Sequence, residues 1–459
     1  LTRNAQNGLL EGTGLVGVSD SYTYNSFGEV TAYEAKGNGS SLLRFEYPIY
    51  DKLSRISQKK EMRGGTTQTF DYVYDTAGRL AEVKRDGIVT AKYDYDSNGN
   101  RTHLNGAQIA HYDDQDRLLD YQGTTYQYSA NGELQQKSAG SQVTKYDYDV
   151  LGNLKKVTLP NGIVVEYLID GQNRRIGKKV GGTLTQAFLY QSQLRPIAEL
   201  NGSGAVVSRF VYAIGINVPD YMIKGGTTYR IIKDHLGSPR LVVDVRTNTV
   251  AQELEYDAFG NVTKDTNPGF QPFGFAGGLY DRDTKLVRFG ARDYDADTGR
   301  WTAKDPIRFE GSNSNLYGYA LSDPMNKRDV YGLSDECVAL DKLLKKRNER
   351  ITKLVEKSKD LDPYALSPFS PDRWDVLSWL TGKDIVSNIG DALDIKEWLN
   401  PFIEGAEDAA HARKEYEEEI ANIKRKEAER ELTRLLKEKF KIEYVPVEPS
   451  GPSCSSSCK

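Results

Sequence analysis

Residues 1–333 are predicted to form one long antiparallel β-sheet and residues 334–459 a small α-helical domain, so the fold class is mainly β with a helical C-terminal part. Three observations predict this. The first part repeats a short tyrosine phrase whose flanks alternate polar and apolar, the pattern of strands joined by hairpins. Tyrosine and glycine crowd into it: of 29 Tyr only Tyr364, Tyr416 and Tyr444 follow Ser334, and of 42 Gly only 4 do. Beyond Ser334 the apolar spacing changes to about 3.6 residues, the period of an amphipathic helix.

The repeated phrase is an aromatic-polar pair, a few variable residues, then Gly and often Leu or Val. It occurs at Tyr24-Asn25 with Gly28, Tyr74-Asp75 with Gly78, Tyr95-Asp96 with Gly99, Tyr128-Ser129 with Gly132, Tyr148-Asp149 with Gly152, and Tyr256-Asp257 with Gly260. Degenerate copies lie at Tyr50-Asp51 with Arg55 and at Tyr112-Asp113 with Arg117. From Tyr74 to Tyr148 the repeat tyrosines are 21, 17, 16 and 20 residues apart, room for one strand pair and its turns. Asp three residues before Gly supplies a turn opener and a residue free to take positive φ. Lys92-Tyr93-Asp94-Tyr95 and Lys145-Tyr146-Asp147-Tyr148 put two tyrosines on one strand face, with the hydroxyls expected at the wet edge of the sheet. A single such unit cannot bury a face, so the units must stack side by side.

Charge narrows the function classes. Lys and Arg number 61 against 65 Asp and Glu, a net charge of -4, which argues against nucleic acid as the partner of the sheet. Residues 1–333 carry 39 charges of each sign, and the remainder carries 22 basic and 26 acidic residues. No apolar run of about 18 residues suggests a membrane-spanning helix. Leu1-Thr2-Arg3-Asn4 is unlike a signal peptide, and a first residue other than Met leads us to expect a fragment or processed product whose targeting signal is not in this sequence. All three cysteines, Cys337, Cys454 and Cys458, lie beyond the sheet, which therefore needs no disulfide. No cofactor is expected, and no metal either, since Cys454 and Cys458 in a Ser-rich tail with Cys337 are too few ligands for zinc.

The phrase resembles the YD repeat of the Rhs and teneurin-like family, over roughly residues 20–333. Long stretches in order match that family's core signature: Asp234-His235-Leu236-Gly237-Ser238-Pro239-Arg240, then Gln271-Pro272-Phe273-Gly274 through Asp281, then Phe289-Gly290-Ala291-Arg292-Asp293-Tyr294, Gly299-Arg300-Trp301, Asp305-Pro306 and Asn315-Leu316-Tyr317-Gly318-Tyr319. The resemblance implies a β-sheet wound spirally into a hollow shell. It also implies three segments: YD repeats over 1–230, a repeat-associated core over 231–333, and a variable effector-like domain over 334–459.

The core signature ends at Asp329-Val330-Tyr331-Gly332-Leu333, where composition changes. In family members that process themselves, two aspartates and an upstream arginine act on the peptide bond after this leucine. By motif position these are Asp305, Asp329 and Arg292, and the bond is Leu333–Ser334. Two close carboxylates that share a proton can supply a base for water and an acid for the carbonyl. The sequence departs from the family's Asp-Pro-x-Gly at both aspartates, with Arg308 in place of the glycine and Val330 in place of the proline. From residue chemistry alone, the two aspartates suit turn openers equally well. His235, inside the core signature, reads as a hydrogen-bonded core histidine, and His103 and His111 are isolated.

Beyond Ser334, Leu340, Leu343, Leu344, Ile351, Leu354 and Val355 form the stripe of a first helix. One or two shorter helices fall between Trp374 and Phe402, a long one spans Glu404 to Phe440, and prolines from Pro446 onward exclude more. Nothing there names a reaction: Lys424-Arg425-Lys426 suits a solvated helix face, and Trp374, Trp379 and Trp398 suit a packed core better than a membrane face. The sequence thus supports an Rhs-type polymorphic toxin of bacterial competition. Its shell holds a C-terminal cargo and frees it by single-turnover self-cleavage after Leu333. Expected partners are a secretion apparatus, a cognate immunity protein or further copies of the chain, and the expected location is outside the bacterial cell or on its surface. The alternative is a non-toxic structural or adhesive YD-repeat protein whose helical tail mediates assembly.

Overall fold

The computed structural model of the chain describes residues 1–311 and 313–333. The helical domain expected over 334–459, with its cysteines, tryptophans and His411, lies outside them. Within them the chain is mainly β: an antiparallel ribbon of eleven strands from Thr2–Arg3 to Ala107–Gln108 and one of sixteen from Ala110–Tyr112 to Val262–Asp265. Every strand in each ribbon pairs with its sequence neighbours. A four-stranded sheet from Leu279–Tyr280 to Arg300–Trp301 follows.

Two kinds of turn alternate along the ribbons, and local chemistry explains both. On one edge the aspartate of the tyrosine phrase caps its own turn. Asp75 Oδ1 accepts the N–H groups of Ala77 and Arg79, each at 2.9 Å, and Arg79 Nε closes on Oδ2 at 2.6 Å. Gly78 sits at φ 87°, and the register slips between Val73 and Tyr74, the bulge such a turn produces. The degenerate copies hold the same shape without glycine, with Ser54 at φ 59° and Asp116 at φ 60°. On the other edge two-residue loops with positive φ at both positions, such as Asp86-Gly87 and Asn105-Gly106, match the twist of the flanking strands.

The tyrosine hydroxyls are not kept for a wet edge. Several of them reach across to a main-chain carbonyl at the start of the strand alongside: Tyr24 to Leu10 at 2.6 Å, Tyr50 to Val30 at 2.6 Å, Tyr74 to Ile56 at 2.7 Å, Tyr95 to Leu80 at 2.7 Å and Tyr190 to Arg175 at 2.9 Å. The bulge at each hairpin leaves that carbonyl without its ladder partner, and the phenol supplies it. Arginines of one turn cover the tyrosine of the next repeat, Arg55 over Tyr74 at 4.2 Å and Arg79 over Tyr95 at 4.8 Å.

The sheet is doubled in one region. Strands Thr227–Lys233, Pro239–Asp244 and Val250–Tyr256 pack on the strands between Val18 and Tyr95, where Val18, Tyr33, Leu43, Phe45 and Leu80 share a core with Ile232, Leu241 and Val243. Arg230–Asp20 at 2.7 Å, Arg240–Glu61 and Arg63–Glu253 tie the layers. A second core runs through residues 109–169 and takes in Leu286.

From Arg300 onward the chain crosses the aspartate-turn edge and bonds to it. Arg300 and Asn315 both donate to Asn100 Oδ1, Tyr317 Oη donates to the Gly132 carbonyl at 2.8 Å, and Asn326 Oδ1 accepts the Ile56 N–H at 2.8 Å. This crossing carries the candidate site.

Candidate active site

Arg292 opens the strand Arg292–Asp295, where the next residue holds the strand in place: Asp293 accepts Arg175 at 2.7 Å and Arg288 at 3.0 Å. Arg292 lies over the Trp301 ring at 4.2 Å. Asp305 is fixed by its N–H to the Leu316 carbonyl at 3.0 Å, and its Oδ1 accepts the Ile307 N–H at 3.0 Å. Asp329 precedes the last four described residues.

The three residues named from the sequence come together. Arg292 Nη2 donates to Asp305 Oδ2 at 2.9 Å and to Asp329 Oδ2 at 3.2 Å, and the three are 3%, 7% and 2% exposed. The chain end is held on the same groups: Arg292 Nε donates to the Gly332 carbonyl at 2.5 Å, and the Leu333 N–H donates to Asp329 Oδ1 at 3.1 Å. Gly332, at φ 66°, folds the chain end back toward the group, and a Cβ there would stand 2.4 Å from the Phe289 carbonyl oxygen. Gly290 allows the reciprocal approach, with the Tyr331 carbonyl oxygen 2.3 Å from its Cβ position. Ser334, across the expected bond, lies outside the described residues.

Burial pushes the Asp305 carboxyl up to about 6; Arg292 and the Ile307 N–H pull it down, and Asp329 adds to the rise. Burial also draws the Arg292 guanidinium below its ordinary value, against the pull of both carboxylates. One cation facing two carboxyls is balanced when one of them holds a proton, and burial favours the protonated form of Asp305. The group can therefore present an acid and a base to one peptide bond.

Arg308 adopts φ 52°, the left-handed region where the family's glycine carries no penalty and where another residue costs roughly 1 kcal/mol. Val330 is buried. His235 stands apart from the group, its Nε2 2.7 Å from the Met325 carbonyl oxygen and its Nδ1 3.3 Å from Tyr47 Oη, and burial lowers its pKa. His111 pairs with Asp120 at the surface, and His103 lies beside Thr102.

Three contributors were not named from the sequence. Trp301 underlies Arg292, Gly290 admits the Tyr331 carbonyl, and Gly311 lies beside both Asp305 and Leu333. The only signal for Trp301 and Gly290 was their place in the core signature, which does not separate packing from positioning, and Gly311 falls between its stretches.

The teneurin YD-shell family profile matches residues 1–325. Mouse teneurin-4 is 32% identical over 311 residues, covering 63% of this chain and 11% of the relative. Chicken teneurin-1 is 32% identical over 270 residues, 56% of this chain and 10% of the relative. The chain thus spans about a tenth of the teneurins it matches. The double-stranded DNA deaminase toxin A of Burkholderia cenocepacia (strain H111) is 29% identical over 341 residues, 66% of this chain and 23% of that protein. Among solved structures, the crystal structure of TcdB2-TccC3-Cdc42 aligns with a TM-score of 0.41 at 17% identity, over 69% of this chain and 21% of that one.

Proposed function

Because the chain belongs to the teneurin YD-shell family, we propose that its β-ribbon is the wall of a carrier shell and that it frees residues 334–459 as cargo by cutting its own chain after Leu333. The observation that carries this is one guanidinium bridging Asp305 and Asp329 while its Nε holds the Gly332 carbonyl and Asp329 holds the Leu333 N–H. Both aspartates also cap turns, Asp305 through the Ile307 N–H and Asp329 through the Leu333 N–H, and what sets them apart is the single guanidinium they share at the chain end. A relative that is itself a toxin supports the carrier role. We place the protein outside the cell or on its surface; no helix among the described residues is long and apolar enough to cross a membrane.

The residues divide the work by charge. Water adds to the Leu333 carbonyl carbon while ionised Asp329 takes its proton and protonated Asp305 gives one to the carbonyl oxygen. Collapse of the tetrahedral species breaks the bond to Ser334. The amine leaves with the proton from Asp329, and Asp305 regains its own from the hydroxyl. The products are the Leu333 carboxylic acid and the Ser334 amine, and both aspartates end as they began. Arg292 keeps one carboxyl ionised and pins the chain end, which holds the scissile carbonyl beside its acid and base within one chain.

Purified protein should run on a denaturing gel as fragments of 333 and 126 residues rather than one 51.4 kDa band. Asp305→Asn and Asp329→Asn should each leave the chain intact with an unchanged β-sheet circular-dichroism spectrum. A wild-type chain that stays whole, or variants that still split, would return both aspartates to turn duty. Expressing residues 334–459 alone in bacterial and eukaryotic cells tests the cargo: growth arrest supports an effector, and harmless accumulation excludes it.

A further inference from the structure

Gly311 ends the short turn Arg308–Gly311 and is buried. Its φ is not left-handed, so its backbone would accept any L residue. Only space forbids one. A Cβ at this position would stand 2.9 Å from the Leu333 carbonyl oxygen and 3.0 Å from Asp305 Oδ2, and its third neighbour is Asp305 Cγ at 3.6 Å. All three nearest atoms therefore belong to the proposed scissile carbonyl and its proposed acid. Crowded glycines farther from the group meet packing atoms, Gly260 the Phe275 ring and Gly278 the Val287 side chain, while Gly290 and Gly332 meet main chain.

We infer that Gly311 is a positioning residue for self-processing, whose missing side chain keeps open the gap in which the Leu333 carbonyl meets the Asp305 carboxyl; this role presupposes the self-cleavage proposed above. A methyl group in that gap stands closer to the Leu333 carbonyl oxygen than real Cβ atoms come and is tight against Asp305 Oδ2, so the chain end must give by a few tenths of an ångström. Asp305 is tethered by the Ile307 N–H and Arg292, and Leu333 by Asp329. The shift takes the carbonyl off its line to the acid, and since a displacement of about 1 Å reduces rates on the order of 100-fold, one of a few tenths should slow splitting several-fold.

The test follows splitting of the full chain after transfer from alkaline to acidic buffer, for wild type, Gly311→Ala and a control, Gly14→Ala, whose Cβ meets nothing within 4 Å. Wild type and control should split at one rate. Gly311→Ala should split several-fold more slowly, with unchanged melting temperature and an unchanged pH midpoint, because the surroundings of Asp305 persist. A structural role would instead move the melting temperature. Should the alanine variant not fold, Gly311→Ser, which can donate to the same carbonyl, takes its place with the same expectation. Splitting of either folded variant at the wild-type rate overturns the role of Gly311 while leaving self-cleavage standing. Failure of both to fold makes Gly311 a packing residue and also overturns it. A wild-type chain that never splits removes the premise, and the role with it.

Discussion

Asp305 and Asp329 face one guanidinium, and burial favours the protonated form of Asp305. Asp305, pushed up to about 6, is protonated in the folded chain under conditions where it would be ionised in the unfolded chain. If it acts as the acid with Asp329 as the base, splitting should fall about tenfold per unit as pH rises above about 6 and slow again in stronger acid as Asp329 takes up a proton, measured as fragment formed against time. The same shift has a stability consequence. Between the ordinary aspartate value of about 4 and the folded value near 6, the folded chain holds a proton that the unfolded chain releases. Its contribution is complete below the lower value and lost as pH rises through the upper one. Asp305→Asn removes the ionisation, so the variant should be more stable than wild type in alkaline buffer by about 3 kcal/mol and converge with it in acid, read from urea midpoints. A constant difference across pH would exclude the shift. At this scale Arg292, Asp305 and Asp329 were legible because each sits at a fixed place in a long motif. Gly311 was not. In Gly311-Ser312-Asn313-Ser314-Asn315 a glycine reads as turn chemistry, and its closeness to Leu333 arises only once the chain returns to it.

The tyrosine turn is the element that makes this sheet, and its chemistry is local enough to be read from sequence. Aspartate caps, a left-handed residue three positions on and an arginine or asparagine after it are all within five residues, as at Asp75 and Arg79. The hydroxyl's role was not readable, because the bulge that frees a carbonyl for it exists only after two strands pair. Tyr74 shows what that role contributes. Its hydroxyl donates to the Ile56 carbonyl and accepts from Asn326 Nδ2 at 2.8 Å, so one phenol joins two strands to the chain that crosses them. Tyr74→Phe keeps the ring under Arg55 and removes only these bonds. It should lower stability by about 1–3 kcal/mol, shifting the urea midpoint with no change in slope. An unaltered midpoint would mean that water replaces the phenol. The strand Pro239–Asp244 departs from the one-faced sheet expected of the repeats, since Leu241, Val242 and Val243 are all buried. Three apolar residues in succession signal burial on both faces, and the doubled sheet is the cause.

At the scale of the whole molecule the doubled region depends on groups that no local pattern connects. Arg230 and Asp20 are 210 residues apart in sequence, and their side chains are 8% and 3% exposed. Asp20 also accepts the Thr13 N–H at 2.9 Å and hydroxyl at 2.7 Å, so its carboxylate is satisfied only when both layers are present. Repeats predict neighbours along the ribbon, and a pair across layers answers to curvature accumulated over many strands. A buried pair is costly to break from one side, because the remaining charge is left without water or partner. Asp20→Asn should therefore destabilise the fold by about 3–5 kcal/mol, whereas Asp20→Leu combined with Arg230→Met, which removes both charges, should recover most of that loss. Hydrogen exchange locates the effect. In Asp20→Asn the amides of Val18–Tyr24 and Thr227–Lys233 should lose protection together, while Thr124–Tyr128 and Gln142–Tyr148, which belong to the second core, keep theirs. Uniform loss across all four strands would mean that the ribbon opens as one unit; loss in Val18–Tyr24 alone would mean that the layers are held by their apolar core and that the ion pair merely accompanies it.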